Sequence, residues 1–250
     1  MERKQLAYIT SLGWLNESKI QKSYALNNVT RASTTGGLVG INEGKIISSY
    51  ASGNVYTTGD EAGGFVGVNS GSIMDCYAVE NVGGTSYIGG FAGINKYDEI
   101  SYCYATGKIT ALGSYAGGVV GVNYATVTNC VAANKSVKGG FSNVNRIAGA
   151  NSSMLSNNYA SEDLLVNGAT VIGGMHNDVN GESTPVSTLM SFNFYSAGNN
   201  WFNNAPWSMD INDNQHEIWK ICEGETLPFL QWEGFNCSKK THKVENNEDE

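Results

Sequence analysis

The sequence predicts an all-β right-handed parallel β-helix, a solenoid of about six coils of 26–28 residues with an aromatic-rich C-terminal cap and a short helix. Three observations predict it: a recurring block, 31 glycines against 3 prolines, and aromatic residues concentrated near the C-terminus. Glycine does not recur at every third residue, which excludes collagen. A hydrophobic content of 41% is sufficient for a continuous core.

The recurring block is first complete from Gly36 to Val55, as GGLVGINEGKIISSYASGNV. It returns from Gly63, Gly89 and Gly117 and then degenerates. The copies are rich in Gly, Asn and β-branched residues, which disfavours pairs of helices and favours short strands joined by turns. We expect three strands per coil, in the first copy GLVGIN, KIISSYA and NVYT, each pairing with its counterparts in adjacent coils.

Equivalent residues should stack about 4.8 Å apart and form ladders along the axis. We interpret an asparagine ladder as structural, because amides can bond their own turn and the next coil; a row of amides that binds sugar or ice is the alternative. Glycines fit turns and close approaches of the chain. An outward tyrosine column is the binding patch to test first, although stacking alone also explains it. These columns are Asn42, Asn69, Asn95, Asn123 and Asn151; Gly40, Gly67, Gly93 and Gly121; and Tyr50, Tyr77 and Tyr104.

The copies GGLVGIN, GGFVGVN, GGFAGIN and GGVVGVN resemble the GLUG motif, a repeat named for its Gly-Leu-x-Gly core, from about Ser11 to Tyr159. The resemblance implies a bacterial protein that is secreted or on the cell surface and is often adhesin-like. Some relatives resemble the noncatalytic part of immunoglobulin A-cleaving metallopeptidases. The family implies no agreed set of catalytic residues.

The predicted organisation is a repeat region over 1–165, a degenerate last coil and cap over 166–237, and a disordered acidic tail over 238–250. Because the sequence enters the repeat partway through a copy, we expect a longer parent protein. Ser183-Thr184-Pro185 predicts the start of a short helix ending at Met190. The late tryptophans are expected to cover the final coil, with a sugar-stacking platform as the alternative: Trp201, Trp207, Trp219 and Trp232.

The sequence identifies no catalytic residues, so an enzyme is the less favoured class. His216-Glu217 continues without the second histidine of a zinc peptidase helix. The acidic pairs fall at different points of the coil and are not expected to converge as glycosidase carboxylates do: Asp60/Glu61, Asp98/Glu99 and Glu162/Asp163.

Two segments alternate oxygen donors and make calcium a possible ligand, although neither completes an EF-hand. The candidates are Asp210, Asn212 and Asn214, and a second set runs from Asp178 to Glu182. Otherwise no cofactor is expected. A cysteine column is interpreted as small ladder residues: Cys76, Cys103 and Cys130. Cys222 and Cys237 could be bridged in an exported protein.

A net charge of -8 and the lack of a basic stripe argue against nucleic acid and anionic membranes, and no window suits a bilayer span. The favoured function is a non-catalytic secreted or surface module, a stalk or an adhesin-like binder of a host glycan or surface protein. The alternative is a glycan-active β-helix enzyme, or the accessory region of a secreted peptidase whose catalytic domain lies outside this chain.

Overall fold

The computed structural model describes residues 14–210 and 217–237. It confirms the predicted all-β solenoid of about six coils, because each strand pairs in parallel with the equivalent strand one repeat away. We number the coils 1 to 6 by their asparagines: Asn16, Asn42, Asn69, Asn95, Asn123 and Asn151. The predicted acidic tail, His216, Asn212 and Asn214 lie outside the described residues.

Five parallel sheets run along the described stack. The asparagine sheet contains Leu15–Asn16, Val39–Asn42, Val66–Asn69, Ala92–Asn95, Val120–Asn123 and Ala148–Asn151. The isoleucine sheet contains Lys19–Gln21, Lys45–Ile47, Ser72–Met74, Ile100–Ser101, Thr126–Thr128 and Met154–Ser156. The tyrosine sheet contains Tyr24–Ala25, Tyr50–Ser52, Tyr77–Val79, Tyr104–Ala105, Val131–Ala132, Tyr159–Ser161 and Glu182–Thr184.

The two remaining sheets complete each coil. The valine sheet contains Val29–Arg31, Val55–Thr57, Val82–Gly84, Lys108–Ala111, Ser136–Lys138 and Leu165–Val166, and Ala169–Thr170 joins the last of these in antiparallel fashion. The narrow sheet contains Thr35–Gly36, Ala62–Gly63, Ile88–Gly89, Ala116–Gly117 and Val144–Asn145.

The expectation of three strands per coil is wrong, because a full coil contains five shorter ones. The predicted run KIISSYA, for example, is split at Ser48, whose φ of 48° is left-handed and turns the chain. The same bend recurs in every coil, with φ between 48° and 55°. We call these residues the bend column: Lys22, Ser48, Asp75, Tyr102, Asn129 and Asn157.

The core lies inside the coils as continuous apolar ladders. Ile46, Ile73, Ile100 and Val127 are fully buried on one wall, and Phe65 stacks on Phe91 with ring centroids 4.7 Å apart. The predicted core columns are therefore observed, and burial of this apolar surface supplies the main driving force for folding. The column of free cysteines, Cys76, Cys103 and Cys130, is fully buried in the same core.

The segment that follows the coils is called the C-terminal strap, residues 186–210 and 217–237. It holds the helices Val186–Leu189 and Phe192–Ser196, the 3-10 turns Gly198–Asn200, Phe202–Asn204 and Gln231–Glu233, and the antiparallel strands Trp219–Lys220 and Phe229–Leu230. The predicted short helix is present but begins at Val186, because Thr184 ends a strand of the tyrosine sheet and Pro185 precedes the helix.

The strap lies along the side of the solenoid, which corrects the expectation that its aromatics cover the end of the final coil. Five strap residues bond the bend column in order from coil 6 back to coil 2. The pairs are Asn157 Nδ2 with Asn200 O (2.9 Å), Asn129 Oδ1 with Phe202 N (2.8 Å), Tyr102 Oη with Ala205 O (3.2 Å), Asp75 Oδ1 with Trp219 Nε1 (3.1 Å) and Ser48 O with Trp232 Nε1 (2.8 Å).

The last coil is instead closed by the loop that precedes the strap. Arg146 is fully buried there and donates from Nη2 to Gly173 O (2.7 Å) and Gly181 O (2.9 Å) and from Nη1 to Ser183 Oγ (2.8 Å). Burial lowers the pKa of Arg146, and the charge of Asp178 partly offsets this. A buried guanidinium with several acceptors can hold such a loop across the end of the stack.

Candidate binding site

The asparagine column forms a hydrogen-bonded ladder in the interior. Each Nδ2 donates to the Oδ1 of the next coil, over distances of 2.8 Å from Asn42 to Asn69 and 2.9 Å from Asn69 to Asn95. The ladder continues from Asn95 to Asn123 and on to Asn151. Because the amides of coils 2 to 5 are fully buried, they offer no surface to sugar or ice, and that alternative is wrong.

The glycines that precede this ladder lie inside strands. A Cβ atom built on Gly93 would sit 2.6 Å from Gly67 O, and one on Gly121 would sit 2.6 Å from Gly93 O. At Gly67 and Gly40 the nearest backbone atoms are the carbonyl oxygens of Gly40 and Trp14, at 2.8 and 2.9 Å. These positions therefore require glycine for close approach between coils, and none of them is a turn.

The tyrosine column forms a continuous stack beneath the strap. Ring centroids of Tyr50 and Tyr77 are 4.9 Å apart, and those of Tyr77 and Tyr104 are 5.0 Å apart. Trp219 packs against Tyr77 and Tyr104, so both tyrosines are buried. Burial also raises the pKa of both hydroxyls well above the usual range.

Tyr77 and Tyr104 therefore do not lie open for a ligand, whereas Tyr50 is half-buried, and ligand binding by this column stays a prediction. Their rings do point outward from the coil, but the strap uses that face as its own docking surface. Trp232 completes the cover, with its ring centroid 5.8 Å from that of Tyr50. The aromatic stack binds a part of the same chain.

The strap also contains Asp210, one of the predicted calcium ligands, and both cysteines of the predicted bridge. Asp210 lies 3.5 Å from Lys220 Nζ and accepts a 2.7 Å hydrogen bond from Gln231, which gives its carboxylate a structural role. Calcium binding there stays a prediction, and within the described residues no three acidic, His or Cys side chains cluster to hold a metal. Cys222 and Cys237 are joined by a disulfide.

The second calcium candidate is likewise occupied by its own loop. Asp178 accepts backbone N–H bonds from Asn180 at 2.7 Å and Gly181 at 3.0 Å through Oδ1, and from Met175 at 3.0 Å through Oδ2. This pattern organises the loop that closes coil 6. Calcium binding at this set also stays a prediction.

An exposed groove of about 560 Å³, which sequence reasoning missed, lies beside the asparagine sheet at coils 4 to 6. We call it the aromatic groove, and its lining includes Lys96–Glu99, Tyr124–Thr126, Ser153–Met154 and Phe202. Tyr97 is 71% exposed, Tyr124 53% and Phe202 37%. The solenoid contributes two of these rings and the strap contributes the third, so the groove requires both parts of the fold.

Polar groups stand beside the exposed rings. Lys96 Nζ lies 4.9 Å from the centroid of the Tyr97 ring, within the range of a cation–π interaction. Glu99 Oε1 accepts a 2.6 Å hydrogen bond from Thr128 Oγ1 of the next coil, which fixes its orientation. Asp98 Oδ1 accepts the Glu99 backbone N–H at 2.8 Å. The groove thus combines exposed aromatic surface with one carboxylate held by the backbone and another held by Thr128 of the next coil.

A break in the repeat could have revealed this site. Ile100 follows Asn95 by five positions, whereas Ile46 follows Asn42 by four. In coil 2 the matching turn is Glu43-Gly44, and a Cβ on Gly44 would meet Ser18 O at 2.0 Å. The extra residue in coil 4 makes room for the Lys96-Tyr97-Asp98 turn on an otherwise tight edge.

A second groove, of about 720 Å³, lies between coil 6 and the strap. Its lining is mainly polar and includes Glu182, Thr184, Asn193 and Glu223. Glu223 accepts the backbone N–H of Phe192 at 2.7 Å, so its carboxylate anchors the second strap helix. Lacking a row of exposed rings, this groove is the weaker candidate for recognition.

These features define a parallel β-solenoid module built from a short repeat and bearing one exposed aromatic groove. Comparison with family models matched the GLUG motif at residues 32–56 and 84–110, so the chain carries GLUG repeats, as predicted. The two matched stretches fall in coils 2 and 4 and include Gly40, Asn42, Tyr50 and Tyr104. Neither the curated proteins nor the solved structures gave a match to this chain. No helix in the described ranges is long and apolar enough to cross a membrane.

Proposed function

We propose that this chain is a non-catalytic extracellular binding module that takes up a glycan in the aromatic groove, in the manner of an adhesin. The observation that carries the proposal is the pair of exposed rings, Tyr97 and Tyr124, beside Glu99. A sugar presents an apolar face of C–H groups and a rim of hydroxyls. Exposed aromatic rings suit that face, and carboxylates with a lysine suit that rim.

Rigidity of the groove supports the proposal. Tyr97 and Glu99 stand on a turn between two strands of the stack, and Thr128 of coil 5 holds Glu99 in place. A site that is already ordered before binding loses less conformational entropy when a ligand arrives. A β-solenoid edge therefore suits recognition of a flexible chain such as a polysaccharide.

The chemistry of the rest of the molecule supports a place outside the cell. The disulfide between Cys222 and Cys237 suits an oxidising compartment. The net charge of -8 disfavours nucleic acid as a partner. In this proposal the chain is part of a bacterial surface or secreted protein, and the coils act as a rigid stalk that presents the groove.

A glycan array followed by calorimetry on the best binder tests the proposal. We expect Tyr97→Ala and Tyr124→Ala each to weaken binding at least about tenfold, because each removes a stacking ring worth on the order of 1.5 kcal/mol. Tyr56→Ala is the matched control, since Tyr56 is 46% exposed on the valine sheet, away from the groove lining. That variant should bind like the wild type.

Three outcomes would contradict the proposal. The first is an array without any bound glycan. The second is equal loss of binding in Tyr56→Ala and Tyr97→Ala, which would place recognition elsewhere. The third is the release of shortened sugars during incubation, which would favour the glycan-active enzyme.

A further inference from the structure

The last turn of the strap, Gln231–Glu233, sits on the tyrosine column of coils 1 to 3. Trp232 lies with its ring centroid 6.3 Å from that of Tyr24 and 5.8 Å from that of Tyr50. Its Nε1 donates to Ser48 O at 2.8 Å. This turn is therefore the cover of the first two tyrosines.

Glu233 is the half-buried carboxylate of that turn. Its Oε2 accepts from the Tyr77 hydroxyl at 2.8 Å and its Oε1 accepts from the Leu230 backbone N–H at 2.7 Å. From the solenoid it faces the hydroxyls of Tyr50, Tyr77 and Tyr104. Within the strap, the neighbouring charged groups are Asp210 and Lys220, which lie 3.5 Å from each other, and Asp210 also bonds Gln231. The two donors that contact Glu233 are neutral, so neither compensates its charge.

Burial raises the pKa of Glu233 from 4.5 to about 7, although the bonds from Tyr77 and Leu230 act in the opposite direction. Once the turn opens, the carboxyl returns to water and to its ordinary pKa. The closed turn therefore binds a proton more tightly than the open one. Closure is fully favoured below the ordinary pKa and weakens as the pH rises through about 7.

We propose that the Gln231–Glu233 turn is a pH-sensitive latch on the tyrosine column, closed while Glu233 is protonated and opening locally when Glu233 ionises. Opening removes the contacts of Trp232 with Tyr24 and Tyr50 and uncovers the Tyr50 ring on that side. The rest of the strap stays docked, because Trp201, Trp207 and Trp219 are buried against the solenoid and one another. The Cys222–Cys237 disulfide tethers the opened turn to that docked part.

A second carboxylate, Asp75, is buried under the docked part. It accepts the Trp219 Nε1–H, and burial raises its pKa from 3.8 to about 6. Its ionisation weakens docking in the same direction but at a different place, beneath Trp219. A measurement confined to residues 231–237 therefore distinguishes opening of the latch from the effect of Asp75 beneath Trp219.

Hydrogen exchange of the amides in 231–237, divided by the intrinsic exchange rate at each pH, tests the latch on the full chain. In the wild type we expect protection to fall at least about tenfold between pH 5 and pH 8. A difference of about one between the carboxyl pKa of the closed turn and that of the open turn is already a tenfold difference in proton affinity. Glu233→Gln should remove most of that fall, because it mimics the protonated carboxyl. Glu225→Gln is the matched control, an exposed carboxylate of the same strap, and should behave like the wild type.

Tyr77→Phe supplies a second test in case Glu233→Gln does not fold. The lost hydroxyl removes a bond to the ionised carboxylate, so the pKa of Glu233 should rise and the midpoint of the fall should move to higher pH. If Tyr77 only filled space, without an effect of its hydroxyl on Glu233, the substitution would leave the pH midpoint of the fall in protection unchanged. The proposal is overturned if wild-type protection is constant between pH 5 and pH 8, if Glu233→Gln retains the full fall, or if Tyr77→Phe leaves the midpoint in place.

Discussion

At the scale of single residues, the second glycine of each GG pair shows how closely the coils approach. A Cβ on Gly64 would lie 2.3 Å from Gly90 O, and one on Gly90 would lie 2.1 Å from Gly118 O. Gly118 in turn faces Arg146 O at 2.2 Å. Arg146 occupies the equivalent position in coil 6, where no further coil follows and the closing loop receives the side chain. Glycine is thus required inside the stack and is replaced at its end.

This close approach predicts the effect of one added methyl group. Gly90→Ala should lower the free energy of unfolding by about 3 kcal/mol or more, because a backbone carbonyl of the next coil occupies the space. Gly83→Ala is the matched control, since the closest contact of its Cβ would be the movable Tyr56 ring, at 3.0 Å, and the nearest backbone atom is Thr110 O at an ordinary 3.7 Å. Urea denaturation measures both variants. Equal midpoints for the two would contradict the proposed contact between coils.

Some columns of the solenoid could be predicted from residue identity, and others could not. The asparagine and tyrosine columns are visible in the sequence because the residue type itself repeats. The bend column is not, since Lys22, Asp75 and Tyr102 share a backbone angle but no side-chain chemistry. Local geometry imposed by stacking on neighbouring coils overrides the low preference of Lys22 and Tyr102 for left-handed backbone.

At the scale of the element, the asparagine ladder joins all six coils through side chains as well as strands. Each interior side-chain amide forms hydrogen bonds with the asparagines of both adjacent coils, and Asn95 also donates to Thr126 O at 3.0 Å. Such a chain of buried bonds is favourable only while every member has its partner. The ladder therefore makes the register of each coil depend on the next.

Removal of one interior amide tests this dependence. Asn95→Ala should lower the free energy of unfolding by about 2 to 4 kcal/mol, because it leaves Asn69 Nδ2 and Asn123 Oδ1 without their ladder partner in a buried site. Asn151→Ala is the control at the end of the ladder, where Asn123 keeps its bond to Ala125 O, and should be much milder. Thermal or urea unfolding gives the comparison. A similar loss in both would mean that the ladder carries no cooperative stability.

The elements also show why the aromatic groove was not predicted. Periodic residues identify strands, whereas the groove arises at a turn where the period is broken by one residue, between Asn95 and Ile100. Its third ring, Phe202, comes from the strap and is brought there by the bond of its backbone N–H to Asn129. Only the folded chain places these residues together.

At the scale of the whole molecule, the strap converts an open sheet face into an interior. Composition identified an aromatic-rich segment after the coils, but apolar content alone does not say which apolar surface it covers. The covered surface is decided by contacts between residues more than a hundred positions apart in the sequence, such as Trp232 with Ser48 and Trp219 with Asp75. Successive residues of the strap contact successively earlier coils of the solenoid. This order of contacts fixes where the strap lies along the tyrosine sheet.

Residue-resolved nitration of the tyrosines in the intact protein tests this alignment most directly. We predict that Tyr97 and Tyr124, exposed at the aromatic groove, react rapidly, while Tyr77 and Tyr104, buried under Trp219, stay unmodified in the native state. Peptide mass spectrometry assigns each site. If Tyr77 and Tyr104 react at rates like that of Tyr97, the strap does not cover the tyrosine column and the alignment along the solenoid is wrong.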